Sequence, residues 1–375
     1  MAALAKVLIV GAGMAGMTLA IGLNRFGIGA EIVEVNPRWS ALGVGIALQG
    51  PTLRALGAIG LLDECVALGF GYSYFKACDA TGTVTGTVDL PRLNGASCPA
   101  SMGIMRQQLH AMLQRAVQAA GARVRLGVTV ASFDQREDEV VVHFNDGTDG
   151  TYDLVVGADG VNSKMRDLLF GAACRPEYTG QAVWRATVSR PPEVQARHSY
   201  FGPRNKAGFN PVSAEKMYIY LVQNLPTFIR LSDRQLIEVM LEQLADFGGF
   251  IAAARSEIND PSAIVYRPIT SHILPSPWYR GRVLLIGDAA HTATPHLASG
   301  AGIAIEDAIV LAEVLQSEHS LPFALQMFMT RRYERSRMVV ENSFQLGQWE
   351  KTPDAPGSDP VGLLNTSMQA LAQPV

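Results

Sequence analysis

An apolar strand that runs straight into a glycine-spaced turn and then a helix leaves a chain few folds to choose from. Here Lys6 to Val10 is such a strand, and Gly11-Ala12-Gly13-Met14-Ala15-Gly16 follows at once. Met17 to Phe26 keeps a helical apolar period, Gly27 ends it, and Glu31 to Val35 reads as a second strand. The unit has the size of a βαβ crossover, about 30 residues. In that context Gly11 permits the tight turn, Gly13 lets the backbone approach a pyrophosphate, and Gly16 lets helix and strand pack closely. Glu34 ends the second strand about 20 residues further on, where a carboxylate bonds a ribose hydroxyl.

A second stretch has to fold back onto the first. Val283-Leu284-Leu285-Ile286 reads as a buried strand, Gly287 as a turn and Asp288 as a carboxylate fixed at a strand end. The segment runs on through His291 and Pro295 to Ala298-Ser299-Gly300-Ala301-Gly302, which opens an apolar-periodic helix over about 303–315. A free helix N-terminus offers unpaired N–H groups and the positive end of a dipole, which suit a phosphate. Between these two stretches lies a third strand–turn–helix, Asp153 to Gly157 followed by Ala158-Asp159-Gly160, with Ser163 as helix N-cap.

The rest of the chain is ordinary globular sequence. Hydrophobic residues make up 48% and charged residues 17%, enough for a sizeable core, and the net charge of −3 argues against a nucleic-acid partner. The four cysteines form no C-x-x-C pair and no metal-ligand spacing, which predicts buried thiols, a reducing cytoplasmic compartment and no metal. The uncharged run from Val7 to Leu23 carries four glycines and is too short for a membrane span. Gly43-Val44-Gly45-Ile46 is too glycine-rich for a strand interior and suggests backbone brought against a ligand. Arg106 opens an amphipathic helix where the dipole prefers an anion; a phosphate or a ring oxygen beside it would resolve that, and a solvated surface arginine is the competing reading.

The three motifs, in this order and spacing, resemble the single-component flavoprotein aromatic hydroxylases, the group that includes para-hydroxybenzoate, salicylate and 6-hydroxynicotinate hydroxylases. The resemblance spans about residues 5–350. It implies an α/β chain: a Rossmann-like FAD-binding domain from residues 1–175 and 270–350, an antiparallel-sheet substrate domain over 176–269 with 71–104 open as a contributor, a long C-terminal helix, and a loosely ordered tail over 351–375. It implies noncovalent FAD and NADH or NADPH as electron donor. Gly11, Gly13, Ala15 and Gly16 would hold the pyrophosphate, Glu34 the adenosine ribose and Asp288 the ribityl–pyrophosphate region. Arg106 would contact FAD, Asp159 both FAD and NAD(P)H, and Pro295, Gly300, Ala301 and Gly302 would lie against the isoalloxazine. Ala298-Ser299-Gly300 stands where many members read Gly-Gln-Gly. The tryptophans lack the spacing of the flavin halogenases.

The chemistry implied is attack of an electron-rich ring on a flavin C4a-hydroperoxide formed with molecular oxygen. The ring is then a phenol, an aniline or a hydroxylated N-heteroaromatic, and a base that favours its phenolate speeds the attack. Candidates for contact with it are His198 and Tyr218 on strands, His296 after Pro295, and Arg185, which could hold a carboxylate or a ring oxygen. Each has a competing structural reading, and of Tyr218 and Tyr220 only one is expected to face the pocket. A homodimer is expected from the resemblance. The rival classes are an NAD-dependent dehydrogenase, which leaves the Asp288 motif unexplained, and a flavin-binding NAD(P)H oxidase that hydroxylates nothing.

Overall fold

The computed structural model describes residues 4–40, 43–316 and 320–375. In chain order, β1 (Lys6–Val10), α1 (Met14–Arg25) and β2 (Gly29–Glu34) form the opening crossover. Next come β3 (Gly45–Gln49), α2 (Gly50–Ala58), α3 (Leu62–Leu68), β4 (Phe70–Tyr72), the hairpin β5 (Tyr74–Asp79) and β6 (Val84–Asp89), and β7 (Ser101–Met105). Then α4 (Arg106–Ala119) leads to β8 (Arg123–Leu126), β9 (Val130–Gln135), β10 (Val140–Phe144), β11 (Asp149–Tyr152), β12 (Leu154–Gly157) and α5 (Lys164–Phe170). The middle of the chain is β13 (Glu177–Ser189), β14 (Arg197–Phe201), β15 (Lys206–Pro211), β16 (Lys216–Asn224), α6 (Asp233–Leu244), α7 (Gly249–Ala254) and β17 (Ile264–Ile273). It closes with β18 (Tyr279–Arg280), β19 (Val283–Leu285), β20 (His291–Thr292), α8 (Gly300–Leu315), α9 (Leu321–Lys351) and α10 (Pro360–Ala372).

β1 lies between β2 and β12, all parallel, and β19 extends the same sheet beside β12, so the N-terminal and C-terminal motifs meet at one edge. The unbroken apolar run Val7-Leu8-Ile9-Val10 follows from that position: a central parallel strand is covered on both faces, and these residues are at most 1% exposed. Gly11 has φ +109°, and a Cβ there would stand 2.4 Å from the Ala158 carbonyl oxygen, so only glycine lets the two strand ends cross. α1 and α8 pack so closely that a Cβ on Gly22 would meet the Ala312 methyl at 2.9 Å.

An eight-stranded sheet, in the order β20-β17-β13-β16-β15-β14-β5-β6, makes the second layer. Alternation gives its faces opposite characters. One carries Trp184, Tyr200, Phe209, Ile219 and Leu221, packed under Met240, Leu244 and Ile251 of α6 and α7. Trp184 stacks on Tyr266 at a centroid distance of 4.0 Å. The other face carries the charged and phenolic residues described below, turned toward the first layer.

Two expectations change. The glycine-rich segment does form a strand from Gly45, and the close approach there is of protein: a Cβ on Gly45 would lie 2.3 Å from Tyr218 Cδ1. The tail is ordered from Pro360 as α10, whose Leu371 is buried. Backbone carbonyls at its end accept from Arg54 on α2 and from Arg335 on α9, which satisfies the orphan groups of a helix terminus. Among the described residues no helix is long and apolar enough to cross a membrane.

Candidate active site

The turn between β1 and α1 is built to receive an anion. Gly13 caps α1 with no side chain bonded to the helix end and no acidic residue in the first turn. A Cβ on Gly13 would have nothing within 4 Å, whereas one on Gly16 would sit 2.0 Å from the Gly11 carbonyl oxygen, so the loop is tight inside and open outside. Ala15 stands against Gly287, where φ is +59° and an added Cβ would press on Ala15 and Ala304 at 3.3 and 3.2 Å. Glu34 folds back over this loop, accepting from Ala12 N at 2.9 Å and from Asn36 N at 2.8 Å. A carboxylate has lone pairs to spare after two such bonds. The first turn of α8 is likewise uncapped and free of acidic residues, because the Ser299 hydroxyl turns back to the Leu297 carbonyl.

Across the crevice stand two charges with no hydrogen-bond or ion-pair partner among the described residues. The Asp288 carboxylate follows β19 in a short 3-10 turn, and the Arg106 guanidinium projects from the first turn of α4. Burial raises the Asp288 pKa against the pull of His291, Arg106 and Arg166, although the residue is exposed by area. Both facts hold together because the surface it exposes lines a protein-walled crevice. Burial likewise lowers the Arg106 pKa, and Arg185 adds to it while Asp288 and Tyr218 oppose.

Arg106 thereby links the crevice to the polar face of the eight-stranded sheet. Arg185 lies on that face of β13, directly across from Tyr220 of β16, half-buried and unpartnered among the described residues. Tyr218 and Tyr220 are two residues apart on one strand, so they share the face, with ring centroids 6.4 Å apart. The expectation that only one could point inward is therefore corrected. Asn210 ties the Tyr72 hydroxyl (2.8 Å) to the Tyr218 hydroxyl (3.1 Å), and the Tyr220 hydroxyl pairs with Ser199 Oγ at 2.8 Å. Arg197, beside them on β14, lies over the Tyr220 and Phe75 rings at 5.9 and 5.8 Å.

The comparisons decide what this arrangement belongs to. Residues 4–343 match the FAD binding domain family. The 6-hydroxynicotinate 3-monooxygenase of Pseudomonas fluorescens is 30% identical over 365 residues, covering 94% of this chain and 93% of its own. The 2-heptyl-3-hydroxy-4(1H)-quinolone synthase of Pseudomonas aeruginosa UCBPP-PA14 is 30% identical over 350 residues, covering 92% and 90%. In fold the chain resembles Klebsiella pneumoniae HpxO complexed with FAD and uric acid, with a TM-score of 0.84 at 23% identity over 98% of this chain and 92% of that one. The chain belongs to the FAD-dependent aromatic hydroxylase family.

FAD fits what is present. Two uncapped helix N-termini suit its pyrophosphate, Glu34 its ribose, and the open Asp288 and Arg106 its polar edges. Other residues singled out from the sequence stand differently in this flavoprotein. The Asp159 carboxylate caps α5, accepting from Ser163 Oγ at 2.5 Å and Met165 N at 3.0 Å. His291 is fully buried with Nε2 2.5 Å from Asp307 Oδ2, and Arg332 ties Asp307 to Glu306, so His291 holds the Asp288 turn from behind.

His296 is drawn toward α9. Its Nδ1 lies 2.9 Å from Thr294 Oγ1 and its Nε2 3.3 Å from Glu350 Oε2, while Glu350 also takes Lys206 Nζ at 2.5 Å. Burial alone would raise the Glu350 carboxyl; Lys206 and His296 outweigh it and bring it down to about 2. His198 is not brought to the crevice. It stands on the helix-covered face, stacked on Phe209 at 4.6 Å and 3.9 Å from Cys78 Sγ, and burial together with Lys76 lowers its pKa to about 4. Sequence reasoning chose the histidine for its chemistry. Strand parity was the available signal: once Trp184 is assigned to the core, pairing puts Arg197, Ser199 and Tyr220 on the opposite face.

Proposed function

We propose that the protein uses NADH or NADPH, FAD and molecular oxygen to hydroxylate a small phenolic or hydroxylated N-heteroaromatic ring held between the Asp288–Arg106 crevice and the polar face of the sheet. The observation that carries this reading is the pair of guanidinium groups, Arg106 and Arg185, unpartnered among the described residues and set beside a phenol-lined surface. Bound FAD supplies the activated oxygen, and the protein's own contribution is placement, electrostatics and exclusion of water.

Each residue then has a definite task. Arg185 attracts the oxygen of the ring hydroxyl and favours its ionised form, which makes the ring a better nucleophile. Tyr218 is held by Asn210 and presents a fixed phenol edge to the ring. The two uncapped helix ends and Asp288 orient the cofactor's phosphate and ribityl parts. Pro295 and His296 fix the loop before α8 through Thr294 and Glu350; Gly300 and Ala301 leave its backbone partly accessible, while Gly302 is buried against Thr52. The thiols are free, in keeping with a cytoplasmic setting. Dimerisation stands as an expectation of the family, to be measured by light scattering.

The deciding experiment is turnover under isotopically labelled oxygen with a panel of phenols, anilines and hydroxypyridines. One labelled atom should appear in an organic product, with NAD(P)H consumption stimulated by the same ring. Recovery of the consumed oxygen solely as peroxide across the panel would replace this reading with that of an NAD(P)H oxidase.

A further inference from the structure

The loop before α8 makes a turn that its own sequence does not favour. Ala298 has φ +50°, the one non-glycine residue with positive φ among those described, and a β-carbon disfavours that conformation. Such a residue persists where its surroundings fix it. Gln49 Nε2 donates to the Leu297 carbonyl at 2.9 Å, and the Leu297 N–H donates to Ser343 Oγ at 3.2 Å. The His296 ring lies flat against α9, where a Cβ on Gly347 would stand 2.7 Å from its Cε1.

The hydroxyl bonds around this ring decide where its protons are. The Thr294 carbonyl can only accept, so Ser343 Oγ gives it its single hydrogen, at 2.6 Å. Thr294 Oγ1 must then donate to Ser343 Oγ, at 2.9 Å, and has only a lone pair left for His296 Nδ1, also at 2.9 Å. Nδ1 therefore carries a hydrogen.

The other nitrogen, Nε2, stands 3.3 Å from Glu350 Oε2, and both atoms are buried without an aligned hydrogen bond. Glu350 is ionised: burial would raise its carboxyl, but Lys206, with Nζ 2.5 Å from Oε1, and His296 outweigh it and bring it down to about 2. In a neutral ring with hydrogen on Nδ1, Nε2 is a bare lone pair. It would oppose the carboxylate in a side chain that is 1% exposed, with no hydrogen to join them. A second proton on the imidazole turns the same contact into an ion pair. The charged groups that meet the ring are Glu350 directly and Lys206 through it. Ser343 and Gly347 of α9, and Gln181 of β13 at the same spot, are neutral. Lys206 shares its face of β15 with Asn210, which holds Tyr218, so the contact joins the ring-facing side of the sheet, α9 and the loop.

We propose that Glu350, fixed by Lys206, is a positioning residue that holds His296 as an imidazolium, so that His296 anchors the loop before α8 and takes no proton from the ring. The second half of this deepens the hydroxylase reading and rests on it. The anchor itself is measured without cofactor or turnover, so the two can fail separately.

The FAD-free protein is labelled at the histidine nitrogens for nuclear magnetic resonance, and the His296 signals are identified by their loss in His296→Asn. In the wild type at neutral pH both ring nitrogens should carry hydrogen. Glu350→Gln should leave hydrogen on Nδ1 alone, and the Leu297 amide should exchange with solvent roughly tenfold faster, the loss of about one hydrogen-bonded contact. Glu350→Asp keeps the charge and should keep the second proton. A glutamate that merely fills space would leave the protonation of His296 unchanged in Glu350→Gln and would overturn the assignment, as would an unchanged Leu297 exchange rate. The wild type can overturn it alone, by showing a neutral His296, or one that gains its second proton only when 4-nitrophenol binds the FAD-loaded protein as the phenolate. A doubly protonated His296 in a protein that returns oxygen solely as peroxide would keep the anchor and remove the hydroxylase reading.

Discussion

Two sets of charge, one fully buried and one partly open, lie on either side of the Asp288 turn, and they are arranged in opposite ways. Behind it, Asp307, Glu306, Arg332 and His291 close on one another. Arg332 donates to Asp307 Oδ1 at 2.7 Å, to Glu306 Oε2 at 2.9 Å and to the Ile303 carbonyl at 3.0 Å, and His291 meets Asp307 at 2.5 Å. In front of it, Asp288, Arg106, Arg185 and Arg197 make no ion pair among the described residues, although electrostatics couples Arg106 to Asp288 and Arg185. The closed set spends its valences on tying α8 and α9 to the strand end. The open set keeps them for molecules that arrive. Pairing within the chain therefore separates scaffold from site more sharply than residue type does, since both sets are built from aspartates and arginines.

The sharpest way to break this contrast is to open the closed set. Asp307→Ala removes the carboxylate partner of His291, one of the two carboxylate partners of Arg332, and the acceptor of the Gly287 N–H. Burial alone would raise the Asp307 pKa, and the charges of His291 and Arg332 pull it down, so the lost carboxylate is an ionised one. Stripping one member from a buried ion cluster typically costs about 3–5 kcal/mol. Denaturant unfolding of the FAD-free protein should register that loss, and a change below about 1 kcal/mol would show that the cluster is dispensable.

The open set should answer in the other currency. Asp288→Ala removes a carboxylate that its surroundings already penalise and that no group among the described residues hydrogen-bonds or pairs with. The FAD-free variant should be as stable as the wild type or slightly more so, while the purified protein should be largely colourless, having lost one to two charge-assisted contacts at about 1.5–3 kcal/mol each. A fully yellow variant with unchanged FAD affinity would reject the assignment. A colourless but unfolded one would erase the distinction drawn between the two sets.

The same contrast explains what could be read in advance. The crossover around Gly11, Gly13 and Gly16 and the Asp288 turn were legible because local backbone needs dictate them. A strand end that passes under another carbonyl must be glycine, and a period of apolar residues marks its own helix. Contacts between distant segments leave no local mark. Nothing near His296 announces Glu350, and nothing near Pro360 announces that Arg54 and Arg335 hold the end of α10. On the sheet the missing quantity was parity. Choosing His198 over Arg197 and dividing Tyr218 from Tyr220 both came from weighing side chains one at a time, whereas the cross-strand register assigns them to faces together.

His198 offers the smallest test and a third solution to burying an ionisable group: to carry no charge at all. It lies between Phe209 and Phe250 on the covered face, and burial first, then Lys76, lower its pKa from the ordinary 6.5 to about 4. The sign follows from linkage. Above pH 6.5 the imidazole is neutral in both folded and unfolded chains and imposes no penalty. As pH falls from 6.5 toward 4, the unfolded chain takes up the proton and the folded one does not, so stability is lost across that window. His198→Phe removes the proton-binding group while keeping a planar apolar ring. It should therefore match the wild type at pH 8 and gain on it at pH 5 by on the order of 1 kcal/mol, with FAD content and ligand binding untouched. Unfolding curves at the two pH values measure the difference directly. A gain that is equal at both would mean the histidine is merely poorly packed, and a variant that loses ring binding would move His198 to the polar face, against the register that pairs it with Phe209.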